Sequence, residues 1–530
     1  MRSAKPNVRT RDMLDVPPEE RIGRAPRALE HPRATGEPEV RYHLARLRGF
    51  RLLLAFALGT GCARAPEQKP PPEAVPIVAL VSIGGFTPSA LVGRDGEKPL
   101  LPTVARFAGV GVRAFEVQRV VPAMAYPAHA TLVTGVAPAK HGIVADRRIG
   151  EHGTGDVWYS AASGLKVRAI WEVASEAQQL VASLDWPTTQ GASLSLLLPD
   201  VPGTLPGVSW LDRLREAATP TAMLALAEKQ GAANPAAARP GAARDAALVG
   251  VACELVSAPK RPQLILLRLS QTSQALAEFG PDTPQAAAAF AGADHEIERW
   301  LHCLHDAGEI EISSIFVVGD FGTSAVHTAI APNVALATAK LVTMQGDEIA
   351  SWEAISRSNG GSAFVYAKSE RAALRAREVL IREAGDSAVF RVLTADEMLH
   401  AGADPEAWFG LEAEPGYTFE DAATGELLRA AAARGVGGYV SAGPALDPGF
   451  VAWGRGIRQG IRIPVMRQTD VAPSLARLLG LSLEKAEGRA LVGLFQVRPP
   501  PPKPAPPPPG TPIPKPDTSR PGAPTPRPMR

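Results

Sequence analysis

Three uninterrupted apolar runs limit what this chain can fold into: VPIVALVSI (Val75 to Ile83), QLILLRL (Gln263 to Leu269) and SSIFVVG (Ser313 to Gly319). A strand with one wet face alternates apolar and polar residues, whereas a strand that is apolar along its length must be covered on both faces. Between and after these runs lie helical patterns: ATLVTG, AAAAFAGADHEIERWLHCLHDAG (Ala286 to Gly308) and DVAPSLARLLGL (Asp470 to Leu481). The combination predicts an α/β fold, with a central, mainly parallel sheet and helices on both faces. In such a sheet the ligand site lies beyond the carboxyl ends of the strands. The residues following Ile83, Leu269 and Gly319 are therefore where chemistry is expected.

A fourth stretch has the build of a reaction centre. VPAMAYPAHATLVTG (Val121 to Gly135) reads as a turn feeding a short helix closed by Gly135. Helix N-termini of this kind hold phosphates and present nucleophiles. Yet Ala125 and Ala128, at its centre, offer only methyl groups.

The 530 residues, 45% hydrophobic and 21% charged, suffice for a large core, but the two ends do not belong to it. Residues 1–47 are polar and read as a leader or a mis-assigned start, with Val40 a candidate for the true beginning. RGFRLLLAFALGTGC (Arg48 to Cys62) is a basic flank, an apolar core and small residues ending on cysteine, which is a secretion signal. Its apolar run of about a dozen residues is short of the roughly twenty that cross a bilayer. The ending resembles a bacterial lipoprotein signal, in which Cys62 would carry the lipid, although Leu58 stands one place further from Cys62 than that pattern has it. Residues 63–73 follow as a linker and 74–497 as the folded domain. From Arg498 onward, residues 498–530 are a proline-rich tail that cannot build a core and reads as a disordered, extended spacer.

Within the folded domain, residues from about 150 to 262 are rich in Ala, Gly and Pro and read as an insert over the sheet edge, with a loose loop near Ala232 to Ala243. Residues from about 338 to 420 read as a small α+β accessory unit, around a strand–helix–strand pattern from Gly360 to Leu393. Cys253 and Cys303 either pair, as an oxidising compartment permits, or stay as two buried thiols. The net charge of +2 and the lack of a basic patch with interleaved aromatics exclude a nucleic-acid partner from the expectations.

The strand ends, taken in order, carry separated landmarks: VSIGGF, YPAHATLVTG followed by PAKHGI, DWPTTQGA, EFGPDT, VVGDFGT, GVGGY, and FVAWGRGI followed by TDVAPSLARLLGL. In this order they resemble the type I phosphodiesterase and nucleotide pyrophosphatase family of the alkaline phosphatase superfamily. The likeness runs from about Ile77 to Val492. It implies an alkaline-phosphatase-like fold and a chemistry with two divalent metals, usually zinc, that clamp a phosphoryl group attacked by a threonine or serine.

Carried over residue by residue, the resemblance implies a dismantled site. The family's first-strand aspartate falls on Gly84, its nucleophile on Ala125, and the asparagine that helps hold the phosphoryl oxygen on Ala128. Its next aspartate and histidine fall on Ser273 and Ala277; a frame shifted to Ser270 and Gln274 supplies neither. The following aspartate–histidine pair becomes Asp320 and Phe321, and the last histidine becomes Gly437. Of six expected metal ligands only Asp320 matches, which is insufficient, since catalytic zinc takes three protein ligands. No cofactor and no catalytic residue are therefore expected.

Other candidates have plain readings. Thr87 and Ser89 lie just past Gly84. Thr131, Thr134, His129 and His141 read as packed or hydrogen-bonded framework, and His302 and His305, flanking Cys303, as solvated or packed histidines without a fourth ligand. The expected function is a non-catalytic member of the fold, exported across the inner membrane and lipid-anchored in a bacterial envelope, that binds an unknown ligand or envelope partner through the former cleft. The alternative is an active metal-dependent phosphodiesterase or phosphatase with a rearranged site.

Overall fold

The run at Val75 forms strand β1 (Val78–Ile83), buried along its whole length. Around it, in chain order, stand β2 (Val112–Gln118), β3 (Val181–Trp186), β4 (Leu196–Pro199), β5 (Leu264–Leu269), β6 (Ser314–Val318), β7 (Phe450–Gly454) and β8 (Ile461–Arg467). They make one sheet in the order β8-β2-β7-β6-β1-β5-β3-β4. Only β7 runs against its neighbours, β2 and β6. The three runs singled out in the sequence are the three central neighbours β6, β1 and β5, paired in parallel. The computed structural model describes residues 76–496 apart from 94–97, 151–156, 204–205 and 442. The leader 1–47, the signal 48–62 with Cys62, the linker 63–73 and the tail 498–530 lie outside the described residues.

Alternate residues of each central strand enter different cores, which is why these strands are apolar on both faces over most of their length. Ala79, Val81 and Ile83 pack with α1 (Pro102–Val110), α3 (Ala242–Ser257) and α5 (Pro284–Asp306). Val78 and Leu80 pack with α2 (Ala125–Thr134) and α6 (Val471–Leu478). Helices thus cover both faces of an alkaline-phosphatase-like α/β sheet. Helix α4 (Gln271–Phe279) follows β5 directly. No described helix is long and apolar enough to cross a membrane.

Two readings of the segment before Pro262 need correction. It was expected to lie over the sheet edge, but it supplies that edge: β3 and β4 come from it, joined in parallel to each other and to β5. Their apolar runs are short and end on Asp185 and Pro199, so the strand signal was lost among Ala, Gly and Pro. Nor is the stretch from Ala232 to Ala243 loose. Ala232 and Ala237 are fully buried, Asn234 caps a turn at Pro235–Ala238, and Arg244 donates from Nε to Ala237 O and from Nη2 to Ala238 O at 3.0 and 2.8 Å.

Cys253 of α3 and Cys303 of α5 form a disulfide, with Cα atoms 5.4 Å apart. That settles the alternative left open above and removes Cys303 as a metal ligand beside His302 and His305. His305 instead pairs with Asp306. A four-stranded antiparallel sheet, in the order Ala354–Ser358, Ser362–Ala367, Phe409–Ala413, Phe390–Leu393, packs with the helix Glu370–Ser387 around a core of its own.

Candidate functional site

The carboxyl ends of β1, β5 and β6 meet at one place, and the chain turns sharply there. Gly84 follows β1, and its amide donates to Leu269 O at the end of β5 at 3.2 Å. Asp320 follows β6, fully enclosed, and its Oδ1 accepts from the amides of Gly85 and Phe321, each at 2.8 Å. Burial raises its pKa, and those two amides work in the opposite direction. Its Oδ2 has no hydrogen-bond partner. Asp320 is thus a clasp between strand ends, with one oxygen free.

The structure brings most of the positions inferred above to this corner. A Cβ added to Gly84 would stand 1.7 Å from Ser273 Oγ and 3.0 Å from Ser273 Cβ, so Ser273 of α4 fills the space that a side chain at 84 would need. This contact puts Ser273 beside Gly84. Ser270, by contrast, donates through its amide and hydroxyl to Asp245 at 2.9 and 3.2 Å. A Cβ on Gly437 would lie 2.3 Å from the Phe321 ring and 3.0 Å from Ala123 O, which places Phe321, Gly437 and the approach to α2 together. Ala125 and Ala128 stand in the first turn of α2. Ala277 lies one turn beyond Ser273, is exposed, and accepts through its carbonyl from Arg434 N at 2.8 Å.

These residues do not fit a pair of divalent metals. One carboxylate remains where such a centre takes three ligands per ion, and a serine and a phenylalanine ring pack where two ligand side chains would have to start. Among the described residues no three His, Cys, Asp or Glu side chains gather closely enough to hold a metal ion.

The hydroxyl and imidazole candidates are engaged elsewhere. His129 is wholly buried, with Nε2 2.9 Å from Ser82 Oγ and Nδ1 2.7 Å from Ala125 O. His141 Nε2 lies 3.0 Å from Thr131 Oγ1, and its Nδ1 accepts from Ile143 N at 3.1 Å. Burial lowers both pKa values to about 3, so both rings are neutral and structural. Thr134 donates to Ala130 O at 2.7 Å. Thr87 and Ser89 lie 2.8 Å apart, oxygen to oxygen.

One group escaped the sequence reading. Arg268, the lone charge in QLILLRL, sits near the end of β5 with Nη1 3.4 Å from Asp200 Oδ1 and 3.8 Å from Asp185 Oδ2. Burial works to lower its pKa, but the carboxylates of Asp200 and Asp185 outweigh this and raise it. Tyr126, the residue after Ala125, donates from its hydroxyl to Asp200 and from its amide to Asp146 Oδ1 at 2.9 Å. Its ring packs on Trp158 at 5.5 Å. Burial, reinforced by Asp200, pushes Asp185 up to about 7, and burial pushes Asp146 up to about 6. A single arginine inside an apolar strand is costly unless paired, and that cost was the available signal.

The family model of type I phosphodiesterase / nucleotide pyrophosphatase matches residues 78–439. The chain belongs to this family. No curated protein matches the sequence. Among solved structures, murine ectonucleotide pyrophosphatase/phosphodiesterase 5, as an inactive threonine-to-alanine variant in complex with AMP, aligns with a TM-score of 0.57 at 19% identity, covering 79% of this chain and 100% of that one. The human protein of the same name aligns with a TM-score of 0.57 at 18% identity over the same shares. At these identities the likeness is one of fold.

Beside the packed corner the chain leaves a cavity of about 1010 Å³. Gly85, Leu276, Thr323 and Tyr439 line it, whereas Gly84, Ala125, Ser273, Asp320, Phe321 and Gly437 do not. Leu276 packs on the Gly85 backbone there: a Cβ on Gly85 would meet its Cδ1 at 2.1 Å.

Proposed function

We propose that this protein is a non-catalytic member of its family that binds a ligand rather than hydrolysing a phosphate ester. The observation that carries the reading is the mutual packing of the replacements. Ser273 occupies the side-chain space of residue 84, Phe321 that of residue 437, and Asp320 spends one oxygen on two backbone amides. A carboxylate cluster that had merely lost its ions would hold like charges facing one another at a cost of several kcal/mol. Here the strand ends carry instead a guanidinium of the chain itself, Arg268, between Asp185 and Asp200.

Hydrolysis in this family's geometry needs an activated hydroxyl and a charge clamp. Ala125 supplies no hydroxyl, and the donor set around Asp320 supplies no clamp. Binding falls to the neighbouring cavity, because the former cleft's own positions are filled by each other.

We place this function outside the cytoplasm, in a bacterial envelope, with Cys62 as the lipid-bearing residue. The Cys253–Cys303 disulfide supports an oxidising compartment. The test of the functional reading is metal analysis of the purified protein, followed by hydrolysis of a nitrophenyl phosphodiester with added zinc. The expected result is sub-stoichiometric metal and no turnover above the buffer rate. Stoichiometric zinc with turnover that a chelator abolishes would establish a working hydrolase with a rearranged site.

A further inference from the structure

We propose that the amino-end face of the sheet, opposite the cavity, docks on an anionic phospholipid bilayer. The proposal deepens the envelope placement given above and rests on it for the tether alone; the face itself belongs to the described residues.

Backbone hydrogen bonds mark this face. Val78 N donates to Gln263 O, Gln263 N to Leu180 O, Ser314 N to Ile77 O, Arg455 N to Ser313 O and Gly460 N to Val110 O, each at 2.8 Å. The turns before β2, β3, β5, β6 and β8 thus gather where the chain enters β1. The far end of the described chain stands here too, with Gln496 N donating to Gly456 O at 2.9 Å.

Asp and Glu outnumber Lys and Arg between residues 76 and 496, yet this face is cationic. Lys260, Arg261, Arg455 and Arg458 stand on its turns, and Arg113 and Arg462 are the second residues of β2 and β8. Against them are Glu309, buried and held by Arg261 at 2.9 Å, and the exposed Glu311. Arg455 and Arg458 are exposed, and among the described residues neither side chain has a hydrogen-bond or ion-pair partner. Arg113 and Arg462 are cross-strand neighbours. Arg462 donates only to the carbonyls of Gly109 and Ile461, each at 3.1 Å, so no carboxylate neutralises the pair. Burial lowers the Arg113 pKa and Arg462 adds to the fall. Two like charges side by side are unfavourable until an anion joins them. The sequence showed no such patch because its members come from separate segments.

Apolar tips protrude among these cations. Val110, Phe115 and Val492 are each more than half exposed, and the Arg113 guanidinium lies over the Phe115 ring at 5.1 Å. Basic side chains around exposed apolar ones suit the headgroup region of an anionic leaflet. A soluble acidic protein would match the cations as well, and the tether decides between them. The chain from Cys62, the lipid-bearing residue in the envelope reading, to Pro76 spans at most about 50 Å, which keeps this end of the sheet near the bilayer. Docked so, the cavity at the carboxyl ends faces away from the lipid.

The experiment is co-sedimentation of the chain from residue 62 onward, carrying Cys62→Ser so that no lipid is attached, with phosphatidylcholine vesicles that contain or lack phosphatidylglycerol. Arg455→Glu with Arg458→Glu reverses two charges on the face. Arg371→Glu with Arg382→Glu makes the same change on the exposed side of the helix Glu370–Ser387 and is the control. Binding is expected on the anionic vesicles, weakened by salt, at least about tenfold weaker in the face pair and unchanged in the control pair, with both melting temperatures near wild type. Should the face pair unfold, Arg455→Gln with Arg458→Gln takes its place, with a severalfold loss expected. No binding to anionic vesicles, equal binding to neutral ones, no loss in the face pair, equal loss in both pairs, or tighter binding to soluble polyglutamate than to vesicles would each overturn the proposal. Mass spectrometry of the wild-type chain that found Cys62 without lipid would overturn the anchor and leave the vesicle result standing by itself.

Discussion

Gly84 does not accept an aspartate in isolation, because the Ser273 side chain already stands where its Cβ would be. Gly84→Asp is expected to lower stability by about 1–3 kcal/mol through overpacking and an added buried charge. Gly84→Asp combined with Ser273→Gly should recover part of that loss, which paired denaturant titrations would read. An unchanged midpoint in the single variant would mean that Ser273 does not fill the corner.

Arg268 belongs to the same scale. Replacing it by Met leaves Asp185 and Asp200 buried without their counter-ion, and the expected loss is roughly 3–5 kcal/mol. The acids around it also fix a pH dependence. Asp185 titrates near 7 in the folded chain against 3.8 for the ordinary group, so between those values the folded state holds the proton more tightly than the unfolded state. Its contribution to stability is therefore greatest at and below about pH 4 and is lost as pH rises toward 7. Asp146 and Asp245, each pushed up to about 6 by burial, act in the same direction. Asp185→Asn should flatten the fall in stability expected for the wild type between pH 4 and 7; equal slopes would remove Asp185 from the titration. The residue types at the motif positions were legible at this scale because reading them needs no structure. Arg268 was not, because its partners lie on β3 and after β4, distant in sequence.

Among the elements, α3 and α5 are tied by Cys253–Cys303 across 50 residues of chain. Reduction, or Cys303→Ser, is expected to cost about 2–5 kcal/mol and to lower the melting temperature, measured with and without a thiol reductant. No shift under reducing conditions would contradict a closed bridge. The three central strands could be read from the sequence because both of their faces are covered and their residues are apolar almost throughout. Strands β3 and β4 could not, since their short apolar runs end on Asp185 and Pro199; only β4 is the edge, where a proline keeps its place in the ladder. The end of α2 was legible for a different reason. Gly135 adopts φ 73°, a left-handed cap that glycine accepts without strain.

For the molecule as a whole, the family's fold goes with a proposed loss of the family's reaction. Both follow from where the burial lies. Sheet and helices are held by two apolar cores, while Ser273, Phe321 and the Asp320 clasp pack the corner at the strand ends. The sequence carries the expectation of a ligand-poor corner but not the packing there, because the Gly84–Ser273 and Gly437–Phe321 contacts join segments far apart in the chain. Zinc-edge anomalous diffraction from crystals grown with excess zinc tests this directly. No anomalous peak is expected between Asp320 and the first turn of α2. Two peaks about 4 Å apart in that position, the spacing of a working two-metal centre, would contradict it.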